Sequence, residues 1–108
     1  MRPQLFALAL ALACTGAAAQ DVPAARQAEL LRLLRQDCGS CHGMRLTGGL
    51  GPALTRQALA ALPPDSLAAT IYHGRPGTPM PPWNRFMSAD EAQWLARQLR
   101  AGVPEVSP

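Results

Sequence analysis

Cys38-Gly39-Ser40-Cys41-His42 places two thiols three positions apart, with an imidazole directly after the second. That spacing meets the geometric demands of covalent haem attachment. The two thiols add to the vinyl groups of one porphyrin edge as thioethers, and the adjacent imidazole is then held beneath the iron as its proximal ligand. Three other readings of the same residues are weaker. A disulfide between Cys38 and Cys41 would close too small a loop to stabilise much. A thioredoxin-like redox pair needs a βαβ context, which the pattern lacks. A structural zinc site needs a fourth good ligand, and only His73 remains.

The far side of the iron decides between electron transfer and ligand chemistry. A His/Met pair keeps iron six-coordinate, and the thioether raises its potential. Beyond Met1 the methionines are Met44, Met80 and Met87. Met44 is too close to His42 to cross a porphyrin, and Met87 sits beside the last helix. Met80 stands between Pro79 and Pro81, 38 residues after His42, where a stiff loop can wrap a haem and present one sulfur. A methionine is ordinarily a core filler; this setting favours Met80 as the second axial ligand.

His73 offers a bis-His alternative that would lower the potential, but it ends a helix before Gly74 and reads better as a surface or propionate-contacting group. Gly51-Pro52 suggests a backbone carbonyl near Pro52 that accepts from the free N–H of His42 and fixes its tautomer. Arg45 and Arg75 are candidate propionate contacts, with a solvated arginine as the default. Trp83 is a candidate lining residue, and Trp94 is expected to pack between terminal helices.

The elements that must position these groups are helical. Residues 23–37 gather Ala25, Leu30, Leu31, Leu33 and Leu34 broadly on one side, with Gly39 as the expected end, so that the cysteine motif follows at its C-terminus. Residues 43–55 carry Gly43, Gly48, Gly49, Gly51 and Pro52 with almost no periodicity, and read as a loop. A short apolar stretch from Gln57 to Leu62 stops at Pro63-Pro64. A helix from about 65 to 73 turns Leu67, Ala68 and Ile71 inward and stops at Gly74. The proline-rich run from Arg75 to Trp83 reads as a stiff, extended loop. Ser88 and Glu91 form a capping-box pattern ahead of Ala92, Leu95, Ala96 and Leu99, and Gly102 and Pro104 end that helix.

Length and charge bound the rest. The chain has 108 residues, enough for one small domain. Arg2, an apolar run from Leu5 to Ala13 and the small residues Ala17-Ala18-Ala19 form a secretory leader over residues 1–19. The run covers nine residues, well short of the roughly 20 that span a bilayer. The expected mature domain is 20–108, with an ordered core of about 23–103, exported to the periplasm. Cys14 falls in the leader; the rival reading is a lipoprotein anchored through it. At this size apolar burial alone stabilises a fold only marginally, and a large cofactor would fill much of the core. All ten basic residues are arginine. No basic cluster marks a nucleic-acid surface.

The Cys38–His42 motif, Gly51-Pro52, the Pro-Met-Pro setting of Met80 and the capped last helix, in that order, resemble class I c-type cytochromes over nearly all of residues 25–102. The resemblance implies an all-α class I cytochrome c fold, with three main helices around one covalently bound haem c. It also implies thioethers at Cys38 and Cys41 and axial ligation by His42 and Met80. In one departure, Leu30 stands where the family often has a small residue at the helix crossing, so a looser or shifted crossing is expected. The segments Asp37 to Met44, Leu46 to Leu54 and His73 to Trp83 are similar to the small periplasmic cytochrome c55X family of denitrifying bacteria.

That narrower resemblance implies a tie to cytochrome cd1 nitrite reductase. Electron donation to the reductase is one form of it, and a redox step in making haem d1 is the other. A haem enzyme or gas sensor needs a labile sixth position, against which Met80 and its prolines argue. A monomer that docks weakly on its redox partner is expected.

Overall fold

The structure is a computed structural model and describes residues 22–103. The leader, Cys14 and Pro104 lie outside the described residues. Among the described residues every regular element is helical, and no helix is long and apolar enough to cross a membrane.

Helix α1 spans Ala24–Leu33, with Pro23 as its N-cap residue. The sequence pattern ends this helix at Gly39, and the structure does not. The chain passes through a π-helical turn at Leu34–Cys38 and continues as α2, Gly39–His42. Gly39 keeps helical angles, φ −60° and ψ −32°, and its N–H reaches back five residues to the Leu34 carbonyl. A helical glycine costs about 1 kcal/mol relative to alanine but forbids nothing. The helix ends instead at Gly43. The cysteine motif sits at the helix C-terminus as expected, and forms its last turn.

Thr55 caps the short helix α3, Arg56–Leu59, by accepting from the Ala58 N–H. Helix α4 runs Pro64–His73, with proline in its first turn and Leu67, Ala68 and Ile71 buried, as their spacing requires. The proline-rich run that follows is only partly extended. The Thr78 N–H donates to the Arg75 carbonyl at 3.1 Å, closing a turn, before the chain straightens through Pro81 and Pro82. Helix α5 spans Ala89–Ala101, and both halves of the Ser88/Glu91 capping box form.

The core joins α1, α4 and α5, with α4 and α5 sharing the most extensive contact. Leu30 is fully buried, and so are Ala92 and Ala96 on α5. The small fully buried residues of this core thus sit on α5 and the large one on α1. Trp94 is buried in the same core.

Arg26 ties α1 to the start of α5. Its guanidinium donates to Glu91, to Glu29 at 2.8 Å and to the Phe86 carbonyl at 2.5 Å. Burial pushes the Glu91 carboxyl up, but hydrogen bonds from Arg26 and the Ser88 backbone outweigh it and leave the carboxyl below its ordinary value of 4.5. A depressed carboxyl stabilises the fold above its unfolded pKa, and the contribution is lost as pH falls through the folded one. For a partly exposed pair, Glu91→Gln should cost about 0.5–1 kcal/mol at neutral pH, and the difference should shrink as acid protonates the carboxyl below its ordinary range. Urea unfolding of both proteins from neutral to acid pH checks it.

Candidate functional site

The helices and two loops enclose a cavity of about 560 Å³, within the range of about 300–1,000 Å³ typical of small-molecule and cofactor sites. Leu34, Leu67, Ile71, Leu95 and Leu99 make its helical walls, and its lining is predominantly aliphatic. Cys38, Cys41 and His42 face it from one side, and Met80 and Trp83 from the proline-rich loop. Leu50 and Leu62, both exposed, stand at its mouth.

The last turn of α2 is finished by the glycine-rich loop folding back on it. A helix end leaves carbonyls without intrahelical donors. Here the Cys41 carbonyl accepts from the Gly51 N–H, and the His42 carbonyl from the Gly48 N–H, each at 2.8 Å. This return carries Pro52 past the imidazole, and His42 Nδ1 lies 2.7 Å from the Pro52 carbonyl. A carbonyl only accepts, so Nδ1 carries the proton and Nε2 keeps a free lone pair.

Glycine is required for this approach. A Cβ on Gly51 would stand 2.6 Å from His42 Cε1 and 2.7 Å from Nδ1. Gly51→Ala should therefore displace the ring and break its bond to Pro52, at about 1–3 kcal/mol for an overpacked site. The expected readings are a lower urea midpoint and loss of the downfield Nδ1 proton resonance.

Cys38 is half-buried and Cys41 exposed, and neither is in a disulfide. Burial first, and the neighbouring Asp37 charge second, push the Cys38 thiol up to about 11. It stays protonated at neutral pH. Among the described residues no group of three His, Cys, Asp or Glu side chains could hold a metal ion.

Met80 is held by its own loop. Its N–H donates to the Thr78 hydroxyl at 3.3 Å, that hydroxyl donates to the Arg75 carbonyl at 2.6 Å, and the Arg75 N–H donates to the Met80 carbonyl at 3.1 Å. The Trp83 N–H donates to the Ile71 carbonyl at 3.1 Å and pins the far end of the loop to α4.

The other candidates separate cleanly. Arg75 lines the cavity, whereas Arg45 is exposed away from it. His73 is exposed, does not line the cavity, and sets its ring edge-on to Tyr72 at 4.9 Å. Met44 is 66% exposed, and Met87 is buried in the core; neither lines the cavity. Thr78, which sequence spacing did not single out, and Gly74, read there only as a helix stop, both contact the Met80 loop. A threonine two positions before a proline-flanked residue is a side-chain-to-backbone turn signal that could have found Thr78.

Two thiols, an imidazole with one nitrogen committed to a carbonyl and one thioether converge on an aliphatic cavity. This donor set fits a covalently attached haem with two axial side-chain ligands.

A family profile described as "Cytochrome C oxidase, cbb3-type, subunit III" matches residues 25–97. The chain is 57% identical over 105 residues to the cytochrome c55X of Pseudomonas aeruginosa, covering 95% of this chain and 87% of that one. The solved structure of a c-type cytochrome NirC superposes with a TM-score of 0.74 at 59% identity, covering 81% of this chain and all of that chain. A dihydro-heme d1 dehydrogenase of Pseudomonas aeruginosa is 35% identical over 120 residues, which take in 97% of this chain but 23% of that longer protein.

Proposed function

Since this chain belongs to the cytochrome c55X family, whose members carry one covalent haem c and move electrons, we propose that it is a periplasmic electron carrier serving cytochrome cd1 nitrite reductase. In this reading Cys38 and Cys41 would form the thioethers, and His42 Nε2 and Met80 Sδ would be the two axial ligands. Residues 1–19 direct export, and 20–108 form the mature domain. The convergence of both thiols, His42 and Met80 on a single apolar cavity supports it most directly.

Bound haem c supplies a one-electron iron couple. The protein's residues do the rest. The Pro52 carbonyl holds His42 in one tautomer and raises the basicity of Nε2. Prolines 79 and 81 limit the backbone freedom around Met80, so little reorganisation accompanies a change of iron charge. The aliphatic walls exclude water and disfavour the more highly charged oxidised state. Arg75, which lines the cavity, is placed to pair with a propionate. Exposed Cys41 and Leu50 at the mouth leave one edge open to a partner.

A second reading has its own support. A segment similar to this chain occurs within a dihydro-heme d1 dehydrogenase, so a free carrier of the same kind could take electrons from that dehydrogenation during haem d1 assembly. Each substrate oxidised would release two electrons and reduce two carriers.

Anaerobic stopped-flow mixing separates the two. Rapid oxidation of the reduced protein by cytochrome cd1 nitrite reductase, fast enough to sustain nitrite turnover, is the expected result. Slow transfer there, with fast reduction of the oxidised protein by the dehydrogenase and its substrate, would replace the first reading by the second.

A further inference from the structure

We propose that Gly74 and Thr78 form a clasp that positions Met80, with Gly74 as the residue whose missing side chain lets the sulfur-bearing loop close onto the end of α4. The inference rests on Met80 being an iron ligand and explains what holds it there.

Gly74 stops α4, with its N–H donating to the Thr70 carbonyl. Its surroundings give it a second part. It is buried, its φ is +68°, and the backbone of the returning loop lies directly over it. A Cβ there would stand 2.6 Å from the Pro81 carbonyl carbon, 2.6 Å from Pro82 N and 2.8 Å from the Met80 carbonyl oxygen. All three atoms are backbone and none can swing aside like the tip of a side chain. One belongs to Met80 itself and two to the prolines directly after it, which resist local adjustment. The Arg75–Met80 hydrogen bond closes the loop next to Gly74, and the Thr78 hydroxyl braces it from inside by bridging the Met80 N–H and the Arg75 carbonyl.

Gly77 is the internal contrast. It lies in the same loop with nearly the same backbone angle, φ +78°, but a Cβ there would meet nothing within 4 Å. An alanine at either position strains the turn through φ. Only at 74 does it also push on the backbone that carries Met80.

The test compares holoproteins. Gly74→Ala should lose the far-red sulfur-to-iron charge-transfer band, lower the midpoint potential and bind carbon monoxide when reduced. Gly77→Ala should retain the band, the potential and the resistance to carbon monoxide. Met80→Leu sets the reference for a lost sulfur. Should Gly74→Ala not yield folded holoprotein, Thr78→Val is expected to weaken the band and lower the potential, and Thr78→Ser to restore both.

The proposal is overturned if Gly74→Ala keeps the band, if Gly77→Ala loses it equally, or if Thr78→Val matches wild type. A Met80→Leu spectrum identical to wild type would instead remove the ligand assignment itself.

Discussion

The double variant Cys38→Ala/Cys41→Ala is expected to accumulate without haem and largely unfolded. The cavity those cysteines face is about 560 Å³. At about 24 cal/mol per Å³ of unfilled interior, leaving it empty would cost up to about 13 kcal/mol. That is a ceiling, because the mouth beside Leu50 and Leu62 is open to solvent. It still matches the whole stability of an ordinary domain, about 5–15 kcal/mol. The walls contributed by Leu67, Ile71, Leu95 and Leu99 would have only water or one another to contact. Far-UV circular dichroism should show most of the helix signal lost, and amide exchange should show no protected core. A helical, protected apoprotein would mean that the α1–α4–α5 contact suffices without the cofactor.

Replacing Met80 has the next largest effect, and it is one of chemistry rather than folding. Met80→Ala should keep its haem, since Cys38 and Cys41 are untouched, but its reduced form should bind carbon monoxide to saturation where wild type resists it. Its midpoint potential should fall, because the thioether favours ferrous iron. Met80→Leu conserves volume at a cost of under about 1.5 kcal/mol and should open the iron just as fully. If both variants keep the wild-type spectrum, the sixth ligand lies elsewhere. His73 is a poor replacement, being exposed and turned against Tyr72.

Much of this site was legible in the sequence because its chemistry is local. Cys38, Cys41 and His42 are consecutive enough for spacing to carry their meaning, and Ser88 with Glu91 announces the start of α5 in four residues. Leu67, Ala68 and Ile71 follow a helical period that one buried face dictates. Other features depend on contacts between distant segments, and no local signal carries them. Gly39 has the composition of a helix end but sits buried within a continuing helix, with the site of its Cβ 3.5 Å from Met44 Sδ.

Leu46 takes φ +58°, an angle costly for a leucine, while its side chain is almost wholly buried. Residue preference argues against that conformation, and burial together with hydrogen bonds to Gly43 and Leu54 overrides it. The crossing of α1 and α5 follows the same logic. Leu30 suggested a loose contact by its size, yet it is fully buried, as are Ala92 and Ala96 on α5.

The π-helical turn at Leu34–Cys38 has a consequence for how this chain can change over time. A π-helical turn holds one more residue than an α-helical one, so everything after it stands about 100° behind its place in an uninterrupted α-helix of the same sequence. The half of the helix that meets α5 and the half that carries Cys38, Cys41 and His42 are therefore set in different phases by a single inserted position. Deleting one residue between 34 and 38 would let the segment close as a regular helix with Cys38, Cys41 and His42 in nearly the same phase, whereas regularising the turn at its present length would rotate them by about 100°. A relative one residue shorter here, at an exposed position such as Gln36, can therefore present the same motif to the same cavity from a regular helix.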